Sequence, residues 1–360
     1  MKSHIFIFLI GFFWIPLVGA IAIPDLYSAD IKLPVAASEA QMLNEAFGLA
    51  VEAVLVKVSG DKGAIVGKVL NQAKKNAPTW VAQHSIASLS DLLPSPEGGV
   101  PGKQVKVTFY QTSIDQFLSD NNLPVWGQER PSVLIWLAAE INGVRVLSGS
   151  NAPSVILNEF AQSASELGVP IYAPLLDEVD KNSLAVADVW GFFGETIAKA
   201  SRRYQTDAVA ALRVSDFSGQ VSGNLLVLLS TGESVRFALM GQTHKEIVEQ
   251  ASVKLAKLFS SKYASVRNGY SANALTLQIT GVTGYGIMRN VQSYLESISV
   301  VRDVLLVQVG DEKIEFLIEI DGDKQKLFNS ISLSALLKKI PINALDPDAN
   351  RVVKYQYSGD

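Results

Sequence analysis

Seven consecutive apolar residues, Val133 to Ala139, stand between Ser132 and Glu140. Side chains of a strand alternate between its faces, so an unbroken apolar run demands a strand covered on both sides. The run is far too short to cross a membrane as a helix, which takes roughly 20 apolar residues. Asn142-Gly143 follows, the strongest short hairpin signal, so Gly143 to Leu147 is expected to pair back on the run. Beyond it come a helical pattern over Ser154–Leu167 broken by Gly168, a short strand at Val169–Tyr172, a helix within Val186–Tyr204 and a strand at Ala208–Val214. This β-α-β-α-β order predicts a three-layer α/β domain with a largely parallel sheet. An antiparallel hairpin, Leu225–Leu229 with Ser234–Leu239, extends its edge, and an amphipathic helix over Lys245–Phe259 closes it. Ser215 to Gly223 reads as a loop.

The flanking parts have a different grammar. Leu26 to Leu33 alternates at period two, as a half-buried strand does. Ser38 is a suitable N-cap for a long helix that Gly60 ends. Val66 to Ala77 reads as a second helix stopped by Pro78, Pro94 to Gly102 as a loop, Val105–Phe109 as a strand, and Ser113 as the cap of a short helix. From Ala272 onward the order is β-α-β-β-α-β, the ferredoxin-like or split βαβ arrangement, with one sheet face left free to dock. The expected class is therefore α+β and α/β. Residues 1–22 are an export signal, 23–128 an α+β module, 129–268 the α/β domain and 269–360 a ferredoxin-like α+β module.

The start of the chain indicates location. Lys2 is the lone charge before an almost wholly apolar run from Ile5 to Val18, and Ala20-Ile21-Ala22 follows. A short basic start, an apolar run of about 7–15 residues and an A-x-A site describe a secretory signal peptide, cleaved after Ala20 or Ala22. The expected location is the periplasm, with no stable membrane span after cleavage. The chain has no cysteine, so it is not a lipoprotein and has no disulfide, thiolate metal site or cysteine nucleophile.

Charge and side-chain chemistry narrow the function. Lys+Arg 31 against Asp+Glu 35 leaves a formal charge of −4, with no basic excess to hold a phosphate backbone, so no nucleic acid is expected. No phosphate-cradling P-loop occurs, and Gly281 to Gly286 reads as a turn and helix entry. His84 and His244 lack a partner at metal or triad spacing. Asp177, Glu178, Asp180 and Asp188 form an acidic cluster at helix starts, where carboxylates suit the helix dipole. No catalytic, cofactor or metal residue is assigned. The candidate interaction residues are Trp126, Arg130, Asp188 and Trp190: two Trp-Gly pairs at junctions with a charge nearby, as aromatic and arginine anchors of interfaces are. Their plainer role is packing, Trp126 in the linker and Trp190 over the sheet.

The segments Val54 to Asp61, Leu123 to Gly127, Arg130 to Ala138, Asp188-Val189-Trp190-Gly191 and Asp207-Ala208-Val209, with Tyr294 to Ile298 and Val301 to Val304 near the end, together resemble the domain-of-unknown-function 2066 family of exported proteobacterial proteins. The resemblance implies a Gram-negative envelope setting and brings no site residues with it. The expected function is a non-enzymatic interaction or assembly protein whose partner is an envelope protein or complex. The alternative is a small-ligand-binding protein using the crevice at the strand C-termini, bordered by Leu137–Glu140, Ala173–Asp177 and Arg213–Asp216.

Overall fold

A computed structural model of the chain describes residues 21–22, 25–35, 38–96, 98–217, 220–266, 272–310, 312–341 and 352–359. The segment read as an export signal lies, up to Ala20, outside the described residues. Helices and strands mix in several sheets, the expected α+β and α/β class.

The amino-terminal part holds β1 (Ile21–Ala22), β2 (Ser28–Pro34), α1 (Glu39–Ser59), α2 (Gly67–Trp80), β3 (Val81–Ser88), β4 (Leu93–Ser95), β5 (Gly98–Val100), β6 (Gly102–Phe109) and α3 (Gln111–Asp120). An antiparallel sheet in the order β2-β6-β3 backs the helices. The Ser38 side chain caps α1, which ends at Gly60 in the left-handed region (φ 65°). Three expectations need correction. Pro78 does not stop α2; it sits in the last turn, where a proline removes only one late backbone donor. Pro94 to Gly102 is no open loop, because β4 and β5 pair across it. Tyr110, not Ser113, stands at the N-cap of α3.

The central part holds β7 (Glu129–Arg130), β8 (Val133–Ile141), β9 (Val144–Ser148), α4 (Val155–Glu166), β10 (Ile171–Tyr172), α5 (Glu178–Ser183), α6 (Val186–Trp190), α7 (Gly194–Ser201), β11 (Ala208–Phe217), β12 (Gln220–Leu229), β13 (Ser234–Gly241) and α8 (His244–Tyr263). β7 pairs with β1. The other six strands form one sheet in the order β10-β8-β11-β12-β13, with β9 also on β8. The apolar run is buried on both faces as its composition requires: Val133, Ile135 and Leu137 join one core, Leu134, Trp136 and Ala138 the other. Asn142 and Gly143 both take positive φ, the geometry of the expected hairpin.

The sheet is less parallel than its element order suggested. The pairs β10-β8 and β8-β11 are parallel, whereas β8-β9, β11-β12 and β12-β13 are antiparallel. Of the stretch read as a loop, Ser215–Phe217 and Gln220–Gly223 are strand: β11 and β12 pair down to Phe217 opposite Gln220. Polar side chains masked this long hairpin because one of its faces is uncovered. The segment Val186–Tyr204 is two helices and a 3-10 turn, interrupted where Phe192 takes φ 55°.

The last part holds β14 (Ala272–Thr280), α9 (Tyr285–Ser297), β15 (Val301–Val309), β16 (Lys313–Asp321), α10 (Lys324–Leu333), β17 (Leu337–Lys339) and β18 (Val352–Tyr357). The sheet order β15-β16-β14-β18 is that of a split βαβ unit, with β17 added at the edge. Its core is separate. By contrast a single core runs from Leu26 through Val54, Trp126 and Ile135 to Phe259, so the amino-terminal helices and one face of the central sheet are packed together.

Candidate functional site

Trp126 and Arg130 come together but face inward. Trp126 is 1% exposed and Arg130 0%. The guanidinium lies 4.0 Å from the Trp126 ring centre and meets no carboxylate among the described residues. Its partners are all backbone carbonyls. Nε donates to Gly127 at 3.0 Å; Nη2 donates to Lys57 and Trp126, both at 2.8 Å; Nη1 donates to Gly168 at 2.9 Å and Leu167 at 3.4 Å. Lys57 is in the last turn of α1, and Leu167 and Gly168 end α4. The arginine thus sits at the negative poles of two helices, which take the place of a counter-ion. Burial pushes its pKa down to about 9, so the group stays charged at neutral pH. These two residues lock the junction and offer no recognition surface.

The acidic cluster is likewise structural. Asp177 caps α5 and receives two hydrogen bonds from Arg203, at 2.7 and 2.8 Å. Asp180 is fully buried and accepts from Leu176 N, Arg203 and the Tyr204 hydroxyl. The Arg203 bonds, then the Asp180 backbone N–H, hold the Asp177 carboxyl well below the usual carboxylate range. A folded pKa below the unfolded one stabilises the native state above about pH 4 and loses that contribution as pH falls. Urea titrations from pH 7 to 3 should therefore show a shallower acid loss for Asp177→Asn than for the wild type; parallel curves would refute the assignment. Among the described residues no group of three or more His, Asp and Glu is placed to hold a metal. His84 packs edge-on against Phe47, and His244 lies 3.9 Å from Asp216.

Asp188 and Trp190 lie elsewhere, on the opposite face of the central sheet. The Asp188 carboxylate accepts from Ala185 N at 2.8 Å and so fixes the start of α6. Trp190 begins the break between α6 and α7, and it is the centre of an arrangement of arginines and aromatic rings. The Arg145 guanidinium lies 4.2 Å from the Trp190 ring centre; that of Arg213 lies 5.9 Å from Trp190 and 4.9 Å from Phe192; that of Arg236 lies 5.7 Å from Phe192. The side chains therefore alternate as a ladder: Arg145, Trp190, Arg213, Phe192, Arg236. Arg213 also donates to Trp190 O at 2.8 Å. Such stacking occupies the flat face of a guanidinium and leaves its in-plane N–H donors free for other acceptors.

Register explains why these residues meet. Arg145 pairs with Glu140, Arg213 with Ala138, and Arg236 with Leu226, which lies opposite Ala211, the partner of Trp136. Positions 136, 138 and 140 of β8 share a face, so the three arginines descend it diagonally on alternate strands. Phe192 in the left-handed region costs about 1–2 kcal/mol for a bulky side chain. Its buried ring, packed in the second core, holds it there. Beyond the ladder the face is bare: Ser222 and Ala238 are exposed and Met240 is 77% exposed. The sequence pointed to Trp190 through its Trp-Gly pair but not to Arg145, Arg213 or Arg236, which are scattered along the chain.

A separate cleft of about 690 Å³ opens beside the strand C-termini. Leu147, Leu176, Leu184 and Val186 line it, with Asp177 and Lys181. Of the expected borders, Leu176 and Asp177 contribute, whereas Leu137–Glu140 and Arg213–Asp216 do not.

Comparison with known families now adds one finding. Residues 20–127 match the model of a domain of unknown function, DUF8605. This overturns the resemblance to the 2066 family, since the matched family is a different one. The motifs behind that resemblance are short apolar and Trp-Gly segments, such as any covered strand or packed junction can present. No curated protein matches the chain. The matched residues end beside Trp126 and Gly127, where Arg130 ties the amino-terminal helices to α4.

Proposed function

We propose that this chain is an exported, non-enzymatic protein that docks on another protein of the cell envelope through the Trp190–Phe192 face. The observation that carries this reading is the arginine–aromatic ladder beside an uncovered stretch of sheet. Aromatic and arginine side chains with rotamers fixed in advance lose little entropy on binding, which suits them as anchors. The basic start and apolar run at the amino terminus support export. The pairing of β1 with β7 favours cleavage after Ala20, which keeps that strand. Among the described residues no helix is long and apolar enough to cross a membrane.

The test is a photocrosslinking residue at Phe193, 56% exposed beside the ladder, in full-length protein expressed in Gram-negative cells. A discrete product is expected from Phe193 and none from the more exposed but remote Tyr285. Equal products, or none from Phe193, would sink the docking site; protein that keeps Met1 and stays in the cytoplasm would sink export. The cleft beside Leu176 favours a second reading, a small-ligand-binding protein, because its volume lies in the range of ligand pockets. A thermal-shift screen of sugars, nucleotides and peptidoglycan fragments decides it: stabilisation abolished by Leu184→Trp supports the reading, and no shift removes it.

A further inference from the structure

We infer that the occupant of the ladder face is an acidic, extended segment of the partner protein, an inference that rests on the docking reading above. Charge complementarity is the first argument. The chain as a whole carries −4, yet this face presents three arginines, and Glu140 is the one carboxylate ion-paired to any of them, with Arg145 at 2.9 Å. Arg213 and Arg236 have no acidic partner among the described residues. Both guanidinium groups lie against the Phe192 ring, at 4.9 and 5.7 Å from its centre, and Arg213 is held further by its bond to Trp190 O.

Spacing is the second argument. Neighbouring strands lie about 4.8 Å apart and residues on one side of a strand about 7 Å apart, so each diagonal step between the arginines spans roughly 12 Å. An extended chain brings residues i and i+4 to one side about 13 Å apart, close to that step. Beside this diagonal, Ser215 and Ser222 in the row of Glu140, and Asn224 and Ala238 in the row of Arg213, have short side chains. A bulkier floor would hold a strand away from the guanidinium donors. Charged hydrogen bonds from a stacked arginine to a carboxylate then supply affinity and register together.

The test titrates the purified mature chain with a fluorescent serine–threonine peptide carrying glutamate at every fourth position. Comparators are the lysine counterpart, inorganic phosphate and phosphatidylglycerol vesicles. Binding of the glutamate peptide is expected, weakened about tenfold by R213Q and about tenfold by R236Q, unchanged by R289Q on the last module, and reduced by salt. Arg236 is an exposed side chain on an edge strand, so R236Q tests the idea even if R213Q loosens the fold; melting curves report which has happened. No peptide binding, binding indifferent to R236Q, or stronger binding of phosphate or vesicles overturns the inference. The Phe193 crosslink separates the two proposals. A crosslink that survives R213Q with R236Q removes the acidic occupant alone, whereas no crosslink in the wild type removes the docking site.

Discussion

Replacing Arg130 with methionine is expected to destabilise the chain by about 4 kcal/mol, read by urea denaturation of the purified protein. Methionine fills much of the volume, so the loss isolates the hydrogen bonds. Five carbonyl oxygens, from Lys57, Trp126, Gly127, Leu167 and Gly168, would lose their donor in a site closed to water. Two of the three segments are helix ends whose dipoles would then lack a cation. Lysine should recover less than half of the loss, because a point charge with three donors cannot span acceptors arranged around a planar fork. The unfolding transition should also broaden or split, since Arg130 joins α1, the linker and α4. A loss below about 1 kcal/mol, with one sharp transition, would show that the shared core alone holds the junction.

Gly60→Ala is expected to cost about 3 kcal/mol by the same measurement, combining a left-handed backbone penalty with overpacking. Gly60 ends α1 at φ 65°, and a Cβ there would fall 2.7 Å from Ser260 Cβ and 2.8 Å from the Trp126 ring. Neither neighbour can retreat. Trp126 is pinned by Arg130 and by its backbone bond to Val58, and Ser260 lies in the final turns of α8. Gly232→Ala is the control: φ is 85°, but nothing lies within 4 Å. It should cost only the backbone part, about 1–2 kcal/mol. Equal losses at the two glycines would mean that the junction yields to a methyl group and that its packing is looser than the contacts indicate.

Both expectations concern residues that were partly legible beforehand. Ser38 and Gly60 bracket α1 through local chemistry, a side-chain cap and a left-handed stop, and both can be read from composition. The apolar run of β8 and the Asn142-Gly143 turn are equally local. The βαββαβ order of the last part followed from the spacing of its apolar patterns. Reading failed where the deciding contact is distant in the chain. β11 and β12 continue to Phe217 and Gln220 because they pair with each other, although their polar residues resemble a loop. β17 exists because β18 offers an edge.

The candidate site divides in the same way. Trp126, Arg130, Asp188 and Trp190 stood out as unusual residue types at junctions, yet nothing local distinguishes an arginine buried among carbonyls from one stacked in the open. Arg130 is inside because α1 and α4 end against it. Arg145, Arg213 and Arg236 are outside because three strands place them on one face beside Trp190 and Phe192. By itself the amino-acid sequence determined the class of the fold and most of its helices and strands, since these depend on short-range periodicity and backbone preference. Tertiary structure alone decided which charges are buried, which part of one face of the central sheet stays open and which scattered arginines form one surface, because strand register and helix docking are set by contacts between residues far apart in the chain.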